Sequence, residues 1–142
     1  MAEAKFEKVT TSDKPLYGPS KLLLCGFPAG AQSKFETVLD MAGLKAVPTV
    51  WITNGQKELS LSALFDLPKG SGKGVSSSLP RAIIVGGIAE KELIRLMTVC
   101  RKVGMQQALW ATLTPTSEKW TLEALLAELT AERRALKKKK RK

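Results

Sequence analysis

Histidine is absent from the 142 residues, cysteine occurs twice, and aromatic side chains make up 6% of the chain. Without histidine there is no Ser-His or Cys-His nucleophile arrangement, and the commonest general base and metal ligand are missing. The thirteen Asp and Glu residues form no paired acidic motif and fall mostly on polar helix faces, so no catalytic residue and no metal ligand is nominated. Cys25 and Cys100 stand far apart and outside any C-x-x-C spacing. That pattern suggests neither a zinc knot nor a disulfide framework, and the two read as reduced core thiols. No apolar run approaches the roughly 20 residues of a membrane span, and the opening Met1 to Lys8 is charged, with no apolar signal region. These absences predict a soluble, cytoplasmic protein without a transmembrane segment.

Nor is a cofactor fingerprint present. Cys25-Gly26-Phe27-Pro28-Ala29-Gly30 is not G-x-G-x-x-G. Gly70-Ser71-Gly72-Lys73-Gly74 lacks G-x-x-x-x-G-K-[ST], follows no strand and precedes a serine run. No cofactor is therefore expected, and an enzyme reading would require a histidine-free mechanism built on carboxylates, lysine or a bound group.

What the chain has is a globular hydrophobic content of 44% and enough length for one core. Its formal charge of +10 is concentrated at one end. Arg133, Arg134, Lys137, Lys138, Lys139, Lys140, Arg141 and Lys142 supply eight positive charges with no acid among them. Removing these from the 23 Lys and Arg leaves fifteen, against thirteen acids, so residues 1–132 are nearly neutral.

The chain also repeats itself. Displaced by 61 positions, Leu22-Leu23-Leu24-Cys25-Gly26-Phe27 falls on Ile83-Ile84-Val85-Gly86-Gly87-Ile88. Phe35, Val38, Leu39 and Ala42 fall on Leu96, Val99, Cys100 and Val103, and Leu59 to Leu64 on Trp120 to Leu125. Each unit reads as strand, helix, strand, helix. Arg81 to Val85 is short, β-branched and, after its arginine, continuously apolar, as a strand covered on both faces would be. Leu93, Leu96, Met97, Cys100 and Val103 recur at helical spacing, with Glu90 and Glu92 opening that helix and Gly104 ending it. Ser60 and Thr121 are the expected caps of the last helix in each unit, with Leu59 and Trp120 as hydrophobic staples on Leu64 and Leu125. The predicted organisation is a flexible N-terminal arm at 1–19, a first βαβα repeat at 20–68, a Gly/Ser/Pro linker at 69–80, a second repeat at 81–132 and a basic tail at 133–142. The predicted fold is α/β, with a mainly parallel four-stranded sheet and pseudo-two-fold symmetry.

Leu113-Thr114-Pro115-Thr116-Ser117-Glu118-Lys119-Trp120-Thr121-Leu122-Glu123-Ala124-Leu125-Leu126 resembles the T-P-T-N-x-x-W-T-L-x-x-L-L signature of a bacterial domain-of-unknown-function family, number 3783. Ser117 replaces the usual asparagine. The first unit keeps only Thr53, Leu61 and Leu64 of the pattern, with Asn54 in place of proline. The resemblance implies a small α/β module in two tandem copies, the first degenerate, and carries no activity with it.

In a parallel sheet the loops after all four strands would share one edge, where α/β proteins place ligands. Gly26, Thr53, Gly87, Thr114, Thr116 and Trp120 are accordingly the candidate contacts for a ligand or anion, aided by helix N-termini. A plainer reading gives each a structural duty: tight turns for the glycines, caps for the threonines and inward packing for Trp120. The basic tail is a candidate polyanion contact, although it lacks the interleaved aromatics of single-strand readers; a solvated, frayed helix end is the plainer alternative. The function expected is a non-enzymatic binding or regulatory module, monomeric with a pseudo-dimeric body, contacting a protein or small anionic ligand. Its tail would add weak nonspecific affinity for nucleic acid. The alternative is an RNA- or ribosome-associated protein acting mainly through the tail.

Overall fold

A computed structural model describes residues 14–105 and 107–141, with side chains to residue 136. Four strands and four α-helices alternate along it: β1 (Lys21–Cys25), α1 (Ala29–Met41), β2 (Thr49–Trp51), α2 (Leu61–Phe65), β3 (Ala82–Gly86), α3 (Glu90–Lys102), β4 (Leu109–Thr112) and α4 (Leu122–Arg141). Short 3₁₀ turns at Asn54–Gln56 and Ser117–Lys119 precede α2 and α4.

The strands form one sheet in the order β2-β1-β3-β4. Each crossover through α1 or α3 joins two parallel strands, pairing Leu23 with Val50 and Ile84 with Ala111. The central pair is antiparallel, Leu23 opposite Ile84 and Lys21 opposite Gly86, so the sheet is mixed and the expectation of a mainly parallel one is corrected. Hydrophobic runs carry no direction: a strand buried on both faces reads the same whichever way its neighbour points.

Alternation along the strands divides the core in two. Leu22, Leu24, Trp51, Ile83 and Val85 face a layer holding Phe35, Val38 and Leu39 of α1 and Leu96 and Cys100 of α3. Leu23, Cys25, Val50, Ile52, Ala82 and Ile84 face the other layer, holding Leu61, Leu64 and Phe65 of α2 and Leu122, Leu125 and Leu126 of α4. Burial on both faces accounts for the unbroken apolar strands. The expected caps are in place: Ser60 Oγ accepts from Ala63 N at 3.2 Å and Thr121 Oγ1 from Ala124 N at 3.1 Å. The α2 and α4 starts meet in a Ser60–Thr121 bridge.

The segments expected to be loose make backbone contacts with the body where the structure describes them. Residues 1–13 of the predicted arm lie outside the described residues. Pro15 bridges Ala89, and Leu16 N donates to Ile88 O at 2.8 Å. In the linker, Gly70 N donates to Thr49 O and Gly70 O accepts from Lys73 N, while Ser71 O accepts from Trp51 N at 2.8 Å. The buried Gln32 holds its next stretch, Oε1 accepting from Gly74 N at 2.7 Å and Nε2 donating to Val75 O at 3.2 Å.

Candidate functional site

Reversal of the central pair separates the predicted loop cluster. Gly26 and Thr53 follow the ends of β1 and β2, beside the starts of β3 and β4, whereas Gly87, Thr114 and Thr116 follow β3 and β4 at the opposite end. No single edge gathers the loops after all four strands.

The two glycine turns are occupied by the chain itself. A Cβ on Gly26 (φ +76°) would lie 2.4 Å from Leu79 O, and one on Gly87 (φ +69°) 2.4 Å from Ser20 N. Both turns need glycine for a close backbone approach. Thr53 N donates to Gln56 Oε1 at 2.9 Å. Thr114 and Ser117 close a local ring, with Thr114 Oγ1 and Ser117 Oγ 2.9 Å apart and each accepting from the other's backbone N–H. Thr116 lies exposed beside it. Trp120 is 37% exposed, not packed inward; its carbonyl receives Leu61 N while Leu59 O receives Leu122 N.

The charged features gather where α4 passes the starts of β3 and β4. Arg81 Nε donates to Gly26 O at 3.1 Å, its guanidinium lies 4.1 Å over the Phe27 ring, and burial lowers its pKa. Arg133 Nη2 donates to Ala108 O at 2.8 Å. Arg81, Arg133, Gln107 and Thr130 line a hollow of about 220 Å³. A neighbouring cavity of about 400 Å³ is lined by Met97, Cys100, Arg101, Met105, Gln107, Ala108, Trp110 and Arg133. No carboxylate lines either one among the described residues. On the other flank of α4, a second cavity of about 400 Å³ contains Arg134 and the ion pair Lys57–Glu123 at 3.7 Å.

Of the predicted polyanion contacts, Arg133 is thus partly committed to a carbonyl, and Arg134 is exposed. Lys137 to Arg141 continue the helix, and Lys142 lies outside the described residues. Leu136 is 60% exposed, so α4 has left the core by that turn. Arg81 and Arg101 were not singled out by sequence reasoning; isolated basic residues in the nearly neutral body gave no signal.

No group of three or more His, Cys, Asp or Glu among the described residues is placed to hold a metal. No helix among them is long and apolar enough to cross a membrane. Burial pushes the Cys25 thiol up to about 12 and the Cys100 thiol to about 11, away from the range of reactive thiols.

The part carrying these arginine-lined cavities is also the part with a recognisable relation. Residues 81–136 are similar to a family described as domain of unknown function (DUF3783). The match runs from Arg81, through β3, α3 and β4, to Leu136 of α4, leaving the first strand-helix unit outside. No curated protein and no solved structure matches the chain. The similarity to DUF3783 therefore brings no assigned activity with it.

Proposed function

We propose that this protein is a non-enzymatic binding module whose basic helix end attracts a polyanion, with nucleic acid as the principal ligand. One observation carries the reading: residues 133–142 hold eight positive charges and no acid, and those to Arg141 continue a helix that leaves the core near Leu136. A duplex or single strand offers a continuous line of phosphates to such a helix, and counterion release supplies affinity without sequence information. Arg81 and Arg133 add positive charge near the same end of the sheet. A cytoplasmic setting belongs to this reading and agrees with two buried, unpaired cysteines.

Duplication of the body is also part of the proposal, and the 61-residue offset supports it. Leu23 faces Ile84, its own counterpart, while Leu22 faces Val85 and Leu24 faces Ile83 reciprocally. The same exchange recurs at the helix corner, where Leu61 N donates to Trp120 O and Leu122 N to Leu59 O. A monomer with a pseudo-dimeric body is the arrangement these reciprocal contacts favour.

The test measures RNA binding by the full-length protein and by a full-length variant in which Lys137 to Lys142 are replaced by glutamine. Each is titrated at low and near-physiological salt. Cutting after residue 132 would be a poorer test, because it also removes the Arg133 bond to Ala108. The expected result is salt-sensitive binding that the neutralised variant loses. Equal, salt-resistant binding by both proteins would transfer the interaction to the body and refute the tail as its source.

A further inference from the structure

The two edges of the sheet are finished differently. In the β1–β2 pair, Leu22 N bonds Pro48 O and Ile52 N bonds Leu24 O, so the even-numbered residues of β2 face β1. Thr49 and Trp51 point their backbone groups outward, and the linker takes them: Gly70 N on Thr49 O, Trp51 N on Ser71 O. In the β3–β4 pair, Leu109 N bonds Arg81 O and Leu113 N bonds Val85 O. The outward-facing residues are therefore Trp110 and Thr112, which stand 61 positions after Thr49 and Trp51. Among the described residues nothing bonds their outward N–H and C=O groups. Arg133 occupies only the preceding outward carbonyl, that of Ala108.

An open pair of ladder positions is what strand addition uses: backbone bonds supply the docking, and flanking pockets select the side chains. Here the flank is the cavity of Met97, Cys100, Met105 and Trp110, with Arg101 and Arg133 at its rim and no carboxylate. Ile94, 41% exposed, extends the Met97 and Arg101 stripe of α3 along the same side. We propose that the β4 edge docks an extended acidic peptide segment of a partner protein, pairing with Trp110 and Thr112. An apolar residue of that segment enters the Met97–Trp110 cavity, and its carboxylates meet Arg101 and Arg133. Charge decides against a second copy of this chain, which would bring the same arginines face to face. This surface shares Arg133 with the basic helix end but is otherwise built from α3 and β4, and it is testable without nucleic acid.

The probe is a labelled ten-residue peptide alternating Glu and Val, with a Lys/Val peptide as its counterpart. Fluorescence anisotropy reports affinity for the full-length protein, and hydrogen exchange reports protection of individual amides. The acidic peptide is expected to bind at least about tenfold more tightly than the lysine peptide and to protect the Trp110 and Thr112 amides. Thr112→Pro removes one outward N–H without touching the inner ladder, and Arg101→Glu reverses a rim charge. Each is expected to weaken acidic-peptide binding about tenfold or more, and Arg101→Glu, on an exposed helix position, serves should the proline variant not fold. Equal binding of the two peptides, unprotected amides, or indifference to Arg101→Glu would overturn the proposal. So would concentration-dependent protection of these amides without peptide, which would assign the edge to a second copy, or their protection by RNA alone.

Discussion

Gln32→Leu tests how the glycine-rich linker is held. Gln32 is 2% exposed and is the single buried polar side chain among the described residues; its amide reaches across from α1 to Gly74 N and Val75 O. Leucine is one heavy atom shorter but fills most of the site, so the cavity term is small and the loss is chiefly hydrogen bonding. Two side-chain bonds, each worth about 0.5–1.5 kcal/mol net, give about 1–3 kcal/mol, less whatever the apolar replacement regains. The partial exposure of the linker backbone lets water repair some of the damage, so the expected loss is about 1–2 kcal/mol. Urea unfolding should show a lower midpoint at unchanged slope. Lys73→Ala is the control, since its contact with Glu36 joins two exposed side chains and should count for less than about 1 kcal/mol. Native-state hydrogen exchange adds a local readout. The Gly74 and Trp51 amides should lose protection first, because the first bonds Gln32 and the second bonds Ser71. If Gln32→Leu unfolds within about 0.5 kcal/mol of the parent and the Trp51 amide stays protected, the linker is held by something other than this side chain.

Gly72→Ala should cost about 2 kcal/mol or more, because φ is +78° and the added Cβ would lie 1.9 Å from Trp51 O, whereas Gly74→Ala at φ +86° meets nothing within 4 Å and should cost about 1–2 kcal/mol; thermal melts of the pair separate clash from backbone strain. Arg133→Gln should lower stability by about 1 kcal/mol through the unpaired Ala108 carbonyl, while leaving RNA affinity closer to the parent than neutralisation of Lys137 to Lys142 does. Cys25 should resist a thiol reagent at pH 8 until the protein unfolds. Its folded pKa, about 12, stands above the ordinary 9.0, so its stabilisation is complete below pH 9 and is lost as pH rises from 9 toward 12, at about 1.4 kcal/mol per unit. Urea midpoints of Cys25→Ala should accordingly fall less steeply with pH over that window than those of the parent.

Most individual elements were legible because their signals are local. The run Arg81 to Val85 marks a strand displaced by one residue from the observed Ala82–Gly86, and the Leu93, Leu96, Cys100 spacing marks α3. Ser60 and Thr121 cap as short hydroxyl side chains before apolar helices should. Composition did not reveal the contacts of the linker, for a physical reason. Glycine and serine there do not signal freedom: Gly70, Gly72 and Gly74 all have positive φ, and the backbone they shape seals the edge of β2. A composition argument cannot tell a turn-rich seal from a mobile tether, because both need residues without a large Cβ substituent.

Strand direction explains why the candidate site moved further than the fold did. Pairing Leu23 with Ile84 in opposite directions sends Gly26 and Gly87 to opposite ends of the sheet, where Leu79 and Ser20 already fill the space a ligand would need. Within the second unit, α4 returns past the starts of the parallel β3 and β4, so that Arg133 reaches Ala108 and shares a hollow with Arg81, 52 positions earlier in the chain. Residues so distant leave no joint pattern in a sequence. The return of α4 along β3 and β4 brings their charges together, and that path is recorded in backbone bonds and packing rather than in the spacing of basic residues.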